Sequence, residues 1–132
     1  MVPAKKIMTK DVIVVHPQTP IYEAMSRLTG NAISGLPVVD DEGRLVGIIT
    51  EKDVLRILIN ANIGAQDKVE DYMTKNVVSF EEETSATIIC EFFIKNPIRR
   101  VPIVKDGKLT GIVSRRDIIG LILESRNKLS RF

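Results

Sequence analysis

Several things are scarce in this sequence of 132 residues, and each scarcity removes a class of function. Cysteine occurs once, at Cys90, so no intrachain disulfide can form and no CxxC or Cys/His metal spacing is available. Nothing points to secretion, and a reducing cytoplasm is the expected setting. Histidine also occurs once, at His16 directly before Pro17. It reads as a surface side chain at the end of an apolar run, with no Ser/His/Asp, Cys/His or His-rich metal constellation to join. Charge of one sign is lacking: 19 Lys and Arg stand against 17 Asp and Glu, a formal net charge of +2. With aromatics at 5% and no Trp, the basic, aromatic-interleaved surface of a nucleic-acid binder is disfavoured. Long apolar runs are missing as well. The longest, near Ile118 to Leu123, is far short of the ~18–20 residues that span a bilayer, and the lysines near Met1 lead into only four apolar residues, Val12 to Val15, so no secretory signal is expected.

What is present is a globular composition, 44% hydrophobic, enough for a core in one compact module. The sequence also repeats itself. Met8-Thr9-Lys10 falls on Met73-Thr74-Lys75, and the same offset of 65 carries Val12 to Val77, Thr19 to Thr84, Asn31 to Asn96 and Pro37 to Pro102. After one deletion beside Glu42 the offset becomes 64, and Gly43, Leu45, Gly47, Ile48 and Asp53 fall on Gly107, Leu109, Gly111, Ile112 and Asp117. Two copies of one supersecondary unit therefore fill the chain: residues 7–59, a linker 60–68 marked by Asn60, Asn62 and Gly64, and residues 69–126.

Each copy opens on a β-branched run that predicts a strand, Val12–Val15 or Val77–Phe80. A helix follows, with Thr19 as N-cap, Pro20 at the first helical position and Gly30 at the end. Ile21, Ala24, Met25 and Leu28 form one apolar face at i, i+3, i+4, i+7. Ala86, Ile89, Cys90 and Phe93 hold the same places in the second copy, which makes Cys90 a small core residue. Then come two hairpins, Leu36–Val39 with Arg44–Ile49 and its counterpart around Lys105-Asp106-Gly107-Lys108, with Pro37 and Pro102 at strand starts. A last helix is expected over Glu51–Ile59 and over Arg115–Arg126. The fold class is α+β: strand, helix, strand, strand, helix, twice, with the two units packed about a pseudo-twofold axis.

The repeated segment with chemical content is Gly47-Ile48-Ile49-Thr50-Glu51-Lys52-Asp53, recurring as Gly111-Ile112-Val113-Ser114-Arg115-Arg116-Asp117. In one reading Thr50 with Asp53, and Ser114 with Asp117, merely cap helices, worth about 1 kcal/mol each. In the other, a helix start behind a strand offers free N–H groups and partial positive charge to a phosphate, while the Asp accepts from ribose hydroxyls. The two readings can coexist. A glycine near the strand end lets a ligand or the facing repeat approach the backbone.

The doubled Met-Thr, the Leu-Pro-Val-Val and Val-Pro-Ile-Val strands, and the two Gly-h-h-Thr/Ser-x-x-Asp ends together resemble a pair of CBS (cystathionine beta-synthase) domains, a Bateman module, over nearly the whole chain. The resemblance implies a regulatory module, not an enzyme, with two clefts for adenosyl ligands. These are AMP, ADP or ATP first, with S-adenosylmethionine or NAD-type molecules as alternatives, and no further cofactor. Carried onto this sequence, it places Thr9, Ile13, Ile33, Ser34, Arg99, Arg100, Ser114, Arg116 and Asp117 at the main cleft. Thr50, Lys52, Asp53, Thr74, Val78 and Ile98 fall at the second. No aromatic stands at the base-holding positions, so stacking would fall to Ile and Val.

Two asymmetries separate the copies. Arg99-Arg100 stand where the first copy has Ser34-Gly35, and Arg115-Arg116 where it has Glu51-Lys52; arginine is the stronger phosphate ligand, so the Asp117 cleft is expected to bind more tightly, unless the arginines form only a solvated face offsetting Glu81-Glu82-Glu83. Glu23 and Arg27, an expected surface ion pair, are replaced by Ile88 and Phe92. With Ile94 these form an apolar patch that reads as a homodimer surface, or as a seat for the tail Asn127–Phe132. Since the repeats consume the chain, the regulated target is expected to be a separate protein. The competing reading is a constitutive dimerisation or scaffold module whose clefts have no physiological ligand.

Overall fold

A computed structural model describes residues 1–59 and 66–130, with the side chains of 127–130 left aside. The elements are α1 (Ile21–Gly30), β1 (Gly35–Val39), β2 (Leu45–Thr50), α2 (Glu51–Ile59), β3 (Phe80–Glu81), α3 (Ala86–Lys95), β4 (Arg100–Lys105), β5 (Lys108–Ser114) and α4 (Arg115–Ser130), with single 3-10 turns at Ala4–Lys6 and Val69–Asp71. The order helix, strand, strand, helix occurs twice, with the short β3 ahead of the second, a mixed α+β arrangement as the repeat predicts.

The chain forms two compact units that cut across the sequence copies. One contains Ile13–Val77; the other joins Met1–Val12 to Val78–Phe132. Each Met-Thr segment is thus docked on the copy in which it does not lie by sequence order. The end of the expected linker is not free chain: Asp67 O accepts from Ile21 N at 2.9 Å, Lys68 bridges to Pro20, and Val69 is fully buried. Residues 60–65, including Asn60, Asn62 and Gly64, lie outside the described residues.

In the Ile13–Val77 unit, β1 and β2 pair antiparallel and carry the core made by Val15, Ile21, Ala24, Leu28, Leu36, Val38, Ile49 and Val69. The apolar face of α1 supplies three of these, as its helical spacing requires. In the other unit, β3, β4 and β5 form a sheet in that order, β3 parallel to β4 and β5 antiparallel to it. Its core is Ala4, Ala86, Ile89, Phe93, Val101, Ile103, Val113 and Ile118, with Cys90 half-buried against it.

Three local expectations need correction, while the end of the first helix at Gly30 is as expected. The strand expected at Val12–Val15 is reduced to one bridge, Val15 with Val38, and that at Val77–Phe80 to Phe80–Glu81 beside Ile103 and Val104. A β-branched run favours extended backbone, but a ladder needs a partner edge along its length, and only the tail of each run has one. Pro20 is the N-cap of α1 rather than its first helical residue, and Thr19 turns its Oγ1 to accept from His16 N at 2.9 Å. Gly30 is the last residue of α1 and the reversal falls on Ala32, at φ 51°. Pro37 and Pro102 lie inside their strands, opposite Ile48 and Ile112. Both isoleucines exchange their backbone bonds with Thr74 and Thr9 on their other side, so each proline occupies a non-hydrogen-bonded position of the hairpin, where the missing N–H leaves no acceptor stranded.

Candidate functional site

Both candidate junctions arise where a strand passes directly into a helix. In the Ile13–Val77 unit β2 ends at Thr50 and α2 begins at Glu51. Asp53, one turn in, reaches back so that its Oδ2 accepts from Thr50 N and Thr50 Oγ1, both at 2.9 Å, while Asp53 N donates to Thr50 Oγ1 at 3.3 Å. Thr74 Oγ1 donates to Asp53 Oδ1 at 3.4 Å. Asp53 as a residue is only 6% exposed, a burial tolerable because each carboxylate oxygen has a donor. Glu51 N donates to Ser34 O at 2.9 Å, tying the loop before β1 to the helix start.

The other unit repeats the design. Asp117 Oδ2 accepts from Ser114 N at 2.8 Å and Ser114 Oγ at 3.0 Å, and Asp117 N donates to Ser114 Oγ at 3.2 Å. Capping is therefore real at both junctions, and worth about 1 kcal/mol each.

What holds the threonines in place is a close backbone approach that only glycine allows. Thr74 N donates to Ile48 O at 2.8 Å and Ile48 N to Thr74 O at 2.9 Å; Thr9 and Ile112 make the same pair at 2.8 and 2.9 Å. A Cβ on Gly47 would lie 2.8 Å from Met73 Sδ and 2.9 Å from Thr74 O, and one on Gly111 would lie 2.5 Å from Met8 Sδ and 2.9 Å from Thr9 O. The Met-Thr segments and the two glycines therefore form one device: the methionine covers the glycine and the threonine is set two residues before the Thr50 or Ser114 position.

The predicted site residues divide between the units. Thr9, Val78, Ile98, Arg99, Arg100, Ser114, Arg116 and Asp117 belong to one; Ile13, Ile33, Ser34, Thr50, Lys52, Asp53 and Thr74 belong to the other. The structure brings Thr50, Asp53 and Thr74 into direct contact in one unit, and Ser114 onto Asp117 beside the Thr9 bridge in the other. Ile13, Val78 and Ile98 are large apolar side chains left in solvent at 39%, 45% and 38% exposure. Arg99, Arg100 and Arg116 are exposed, and the Arg115 guanidinium is engaged by the chain itself: it donates to Ile98 O at 3.1 Å, Phe93 O at 3.0 Å and Asn96 O at 2.9 Å, and its Cζ lies 6.0 Å from the Phe93 ring centre. It closes the C-terminal end of α3, where a cation meets carbonyls and the negative end of the helix dipole. Sequence reading missed this role, although an arginine replacing Glu51 was its signal.

A concavity of about 500 Å³ in the unit containing Asp117 is lined by Lys5, Lys6, Met8, Lys10, Glu82 and Thr110, none of them a predicted site residue. Lys5 is held by Glu83, 2.5 Å away, which raises its pKa. The expected Glu23–Arg27 ion pair is present at 2.7 Å. Of the expected apolar patch, Ile88 and Ile94 are exposed, but Phe92 is half-buried, edge-on to Phe80 at 5.4 Å between ring centres. No helix among the described residues is long and apolar enough to cross a membrane, and among them no three His, Cys, Asp or Glu side chains gather to hold a metal ion.

Two junctions of this kind on a doubled α+β unit define the CBS-domain class. The CBS domain model matches residues 4–60 and again 69–124, and the chain belongs to that family as a pair of CBS motifs. It is 42% identical over 117 residues to the inosine-5'-monophosphate dehydrogenase of Methanocaldococcus jannaschii, a match that covers 88% of this chain but 23% of the dehydrogenase. It is 39% identical over 120 residues to an uncharacterized 17.7 kDa protein of Acidianus ambivalens, covering 90% of this chain and 72% of that one. Among solved structures, CBSX2 of Arabidopsis thaliana in complex with AMP superimposes with a TM-score of 0.84 at 29% identity, over 96% of this chain and 99% of that one. The CBS domain pair of protein MJ0100 in complex with 5'-methylthioadenosine and S-adenosyl-L-methionine superimposes at 0.77 and 32% identity, over 95% and 98%.

Proposed function

We propose that the chain is a non-catalytic regulatory module that binds an adenosine nucleotide, AMP, ADP or ATP, and through it modulates a separate protein. The observation that carries this reading is the Asp117 junction. Asp117 is half-buried and braced by Ser114, and one carboxylate oxygen, Oδ1, has no partner among the described residues. A braced acceptor at a helix start suits a ribose diol, and the exposed Arg99, Arg100 and Arg116 in the same unit supply phosphate ligands. CBSX2 is in complex with AMP, and the MJ0100 domain pair with 5'-methylthioadenosine and S-adenosyl-L-methionine; the three ligands share adenosine. In the unit that holds Asp117, the residues proposed to meet the ligand are Thr9, Arg99, Arg100, Ser114, Arg116 and Asp117; Thr50, Lys52, Asp53 and Thr74 are their counterparts at the other junction.

The test is thermal unfolding with AMP, ADP, ATP, NADH and S-adenosylmethionine at about 1 mM. A ligand at a hundred times its Kd stabilises the native state by about 2.7 kcal/mol, which raises Tm by roughly 8–16 °C for a chain this size. Loss of that shift in Asp117→Ala supports the reading; no shift for any of the five overturns it.

Association has its own observation. Leu55, Leu58 and Ile59 on α2 are exposed at 66%, 93% and 87%, and their repeat equivalents on α4, Ile119, Ile122 and Leu123, at 55%, 59% and 54%. Six apolar side chains at matched positions are more than scattered surface hydrophobics. They support a homodimer built on α2 and α4 in place of the Ile88 and Phe92 patch, since Phe92 is already engaged with Phe80. Mass measurement in solution checks it: Leu58→Glu with Ile122→Glu is expected to give monomers, and Ile88→Glu to leave the dimer intact.

A further inference from the structure

We propose that the two Asp junctions are unequal by construction, so that each chain takes one adenosine ligand, at Asp117, while Thr74 acts as a latch that keeps Asp53 closed. The inference rests on the adenosine reading above and adds which site works and why.

The two aspartates share sequence spacing but not availability. At Asp53 both carboxylate oxygens are committed, Oδ2 to Thr50 N and Oγ1 and Oδ1 to the Thr74 hydroxyl, and the residue is 6% exposed. At Asp117, among the described residues, only Oδ2 is committed, to Ser114 N and Oγ, and the residue stands partly in solvent. Thr9 is fixed to Ile112 by the same two backbone bonds that fix Thr74 to Ile48, yet its hydroxyl makes no bond to Asp117 or to any other described residue. Backbone docking is thus equal in the two units, and the difference is one hydroxyl.

A vicinal diol approaching a carboxylate brings two O–H donors and needs an oxygen free to accept. Asp117 offers one at once. At Asp53 the diol must first displace the Thr74 hydroxyl and uncover a buried carboxylate, so an incoming bond replaces an existing one and gains little. Thr74 is therefore a positioning residue for Asp53, and its effect on binding is negative.

Thr74→Val keeps the shape of the side chain, leaves the backbone pairing with Ile48 untouched and removes the donor. Calorimetry on the full chain, with AMP and separately with S-adenosylmethionine, reads the result as stoichiometry, which a merely structural role for Thr74 does not raise. The expected outcomes are one ligand per chain for the wild type, none for Asp117→Ala, one for Asp53→Asn, and two for Thr74→Val. The affinity at Asp53 rises about tenfold, the low end for removing a bond to a charged group. Adding Asp53→Asn to Thr74→Val returns the count to one. Two ligands on the wild type, one on Thr74→Val, or loss of the wild-type ligand through Asp53→Asn instead of Asp117→Ala each overturns the latch while leaving the adenosine reading in place. Failure of both probes to bind the wild type overturns that reading, and the latch with it.

Discussion

Replacing Gly111 by alanine puts the docking of the N-terminal segment to a direct test. The added Cβ would lie 2.5 Å from Met8 Sδ, 2.7 Å from Met8 Cγ and 2.9 Å from Thr9 O. The thioether can swing aside, because methionine has three rotatable bonds. The Thr9 carbonyl cannot, because it is held by Ile112 N at 2.9 Å beside the return bond from Thr9 N to Ile112 O at 2.8 Å. Relief therefore stretches or breaks that pair, about 0.5–1.5 kcal/mol per bond, and the strain of overpacking adds to it. A total near 2–3 kcal/mol lowers Tm by roughly 6–18 °C. Gly120→Ala is the matched control: it sits in α4 with nothing within 4 Å of its Cβ, and by helix propensity it stabilises by about 1 kcal/mol. Calorimetric or circular-dichroism melting reads both signs, and amide exchange reads the cause, since the Thr9 and Ile112 amides should lose protection in Gly111→Ala while those of the β1–β2 hairpin keep theirs. If Gly111→Ala melts within about 2 °C of the wild type with those two amides still protected, the proposed role of the glycine is wrong.

The remaining predictions concern charges and pH. Arg115→Ala removes three bonds, to Phe93 O and Asn96 O at the end of α3 and to Ile98 O just beyond it, and should destabilise by about 1–2 kcal/mol, whereas Arg116→Ala should leave the melt unchanged and weaken ligands in proportion to their phosphate count; melting and calorimetry on the pair separate the roles. Tyr72 donates its hydroxyl to Asp67 Oδ2 at 2.5 Å, and this bond, with burial and the Asp67 charge, pushes the phenol pKa up to about 12. A raised native pKa means stability fully present below the unfolded value near 10 and lost as pH climbs through about 12. Alkaline unfolding of Tyr72→Phe should therefore show less pH dependence between pH 10 and 12 than the wild type; equal slopes would remove Tyr72 from the account. Gly107→Ala, at φ 79° in the β4–β5 turn, should destabilise by about 1 kcal/mol, checked by denaturant midpoint.

Much of this protein is legible in its sequence because local rules decide it. The spacing of Ile21, Ala24 and Leu28 and of Ala86, Ile89 and Phe93 sets which helix faces are buried, the Gly43 and Gly107 turns close the hairpins, and the repeated hydroxyl and Asp place a capped helix after each second hairpin strand. A doubled pattern makes each of these visible twice. What the sequence could not decide depends on partners remote along the chain. A β-branched run at Val12–Val15 has the propensity of a strand but acquires only one bridge, because pairing needs a neighbour and not only a preference. The docking of Met8-Thr9 on Gly111, and of Met73-Thr74 on Gly47, joins each opening segment to the other copy. The glycines announce a close approach, but not what approaches. Arg115 read as a site charge until α3 presented its carbonyls, and Asp53 and Asp117, identical in spacing, differ because one threonine hydroxyl turns inward and the other does not. Periodicity and caps are written within a few residues, whereas which acceptor a side chain finds is set by backbone brought from elsewhere.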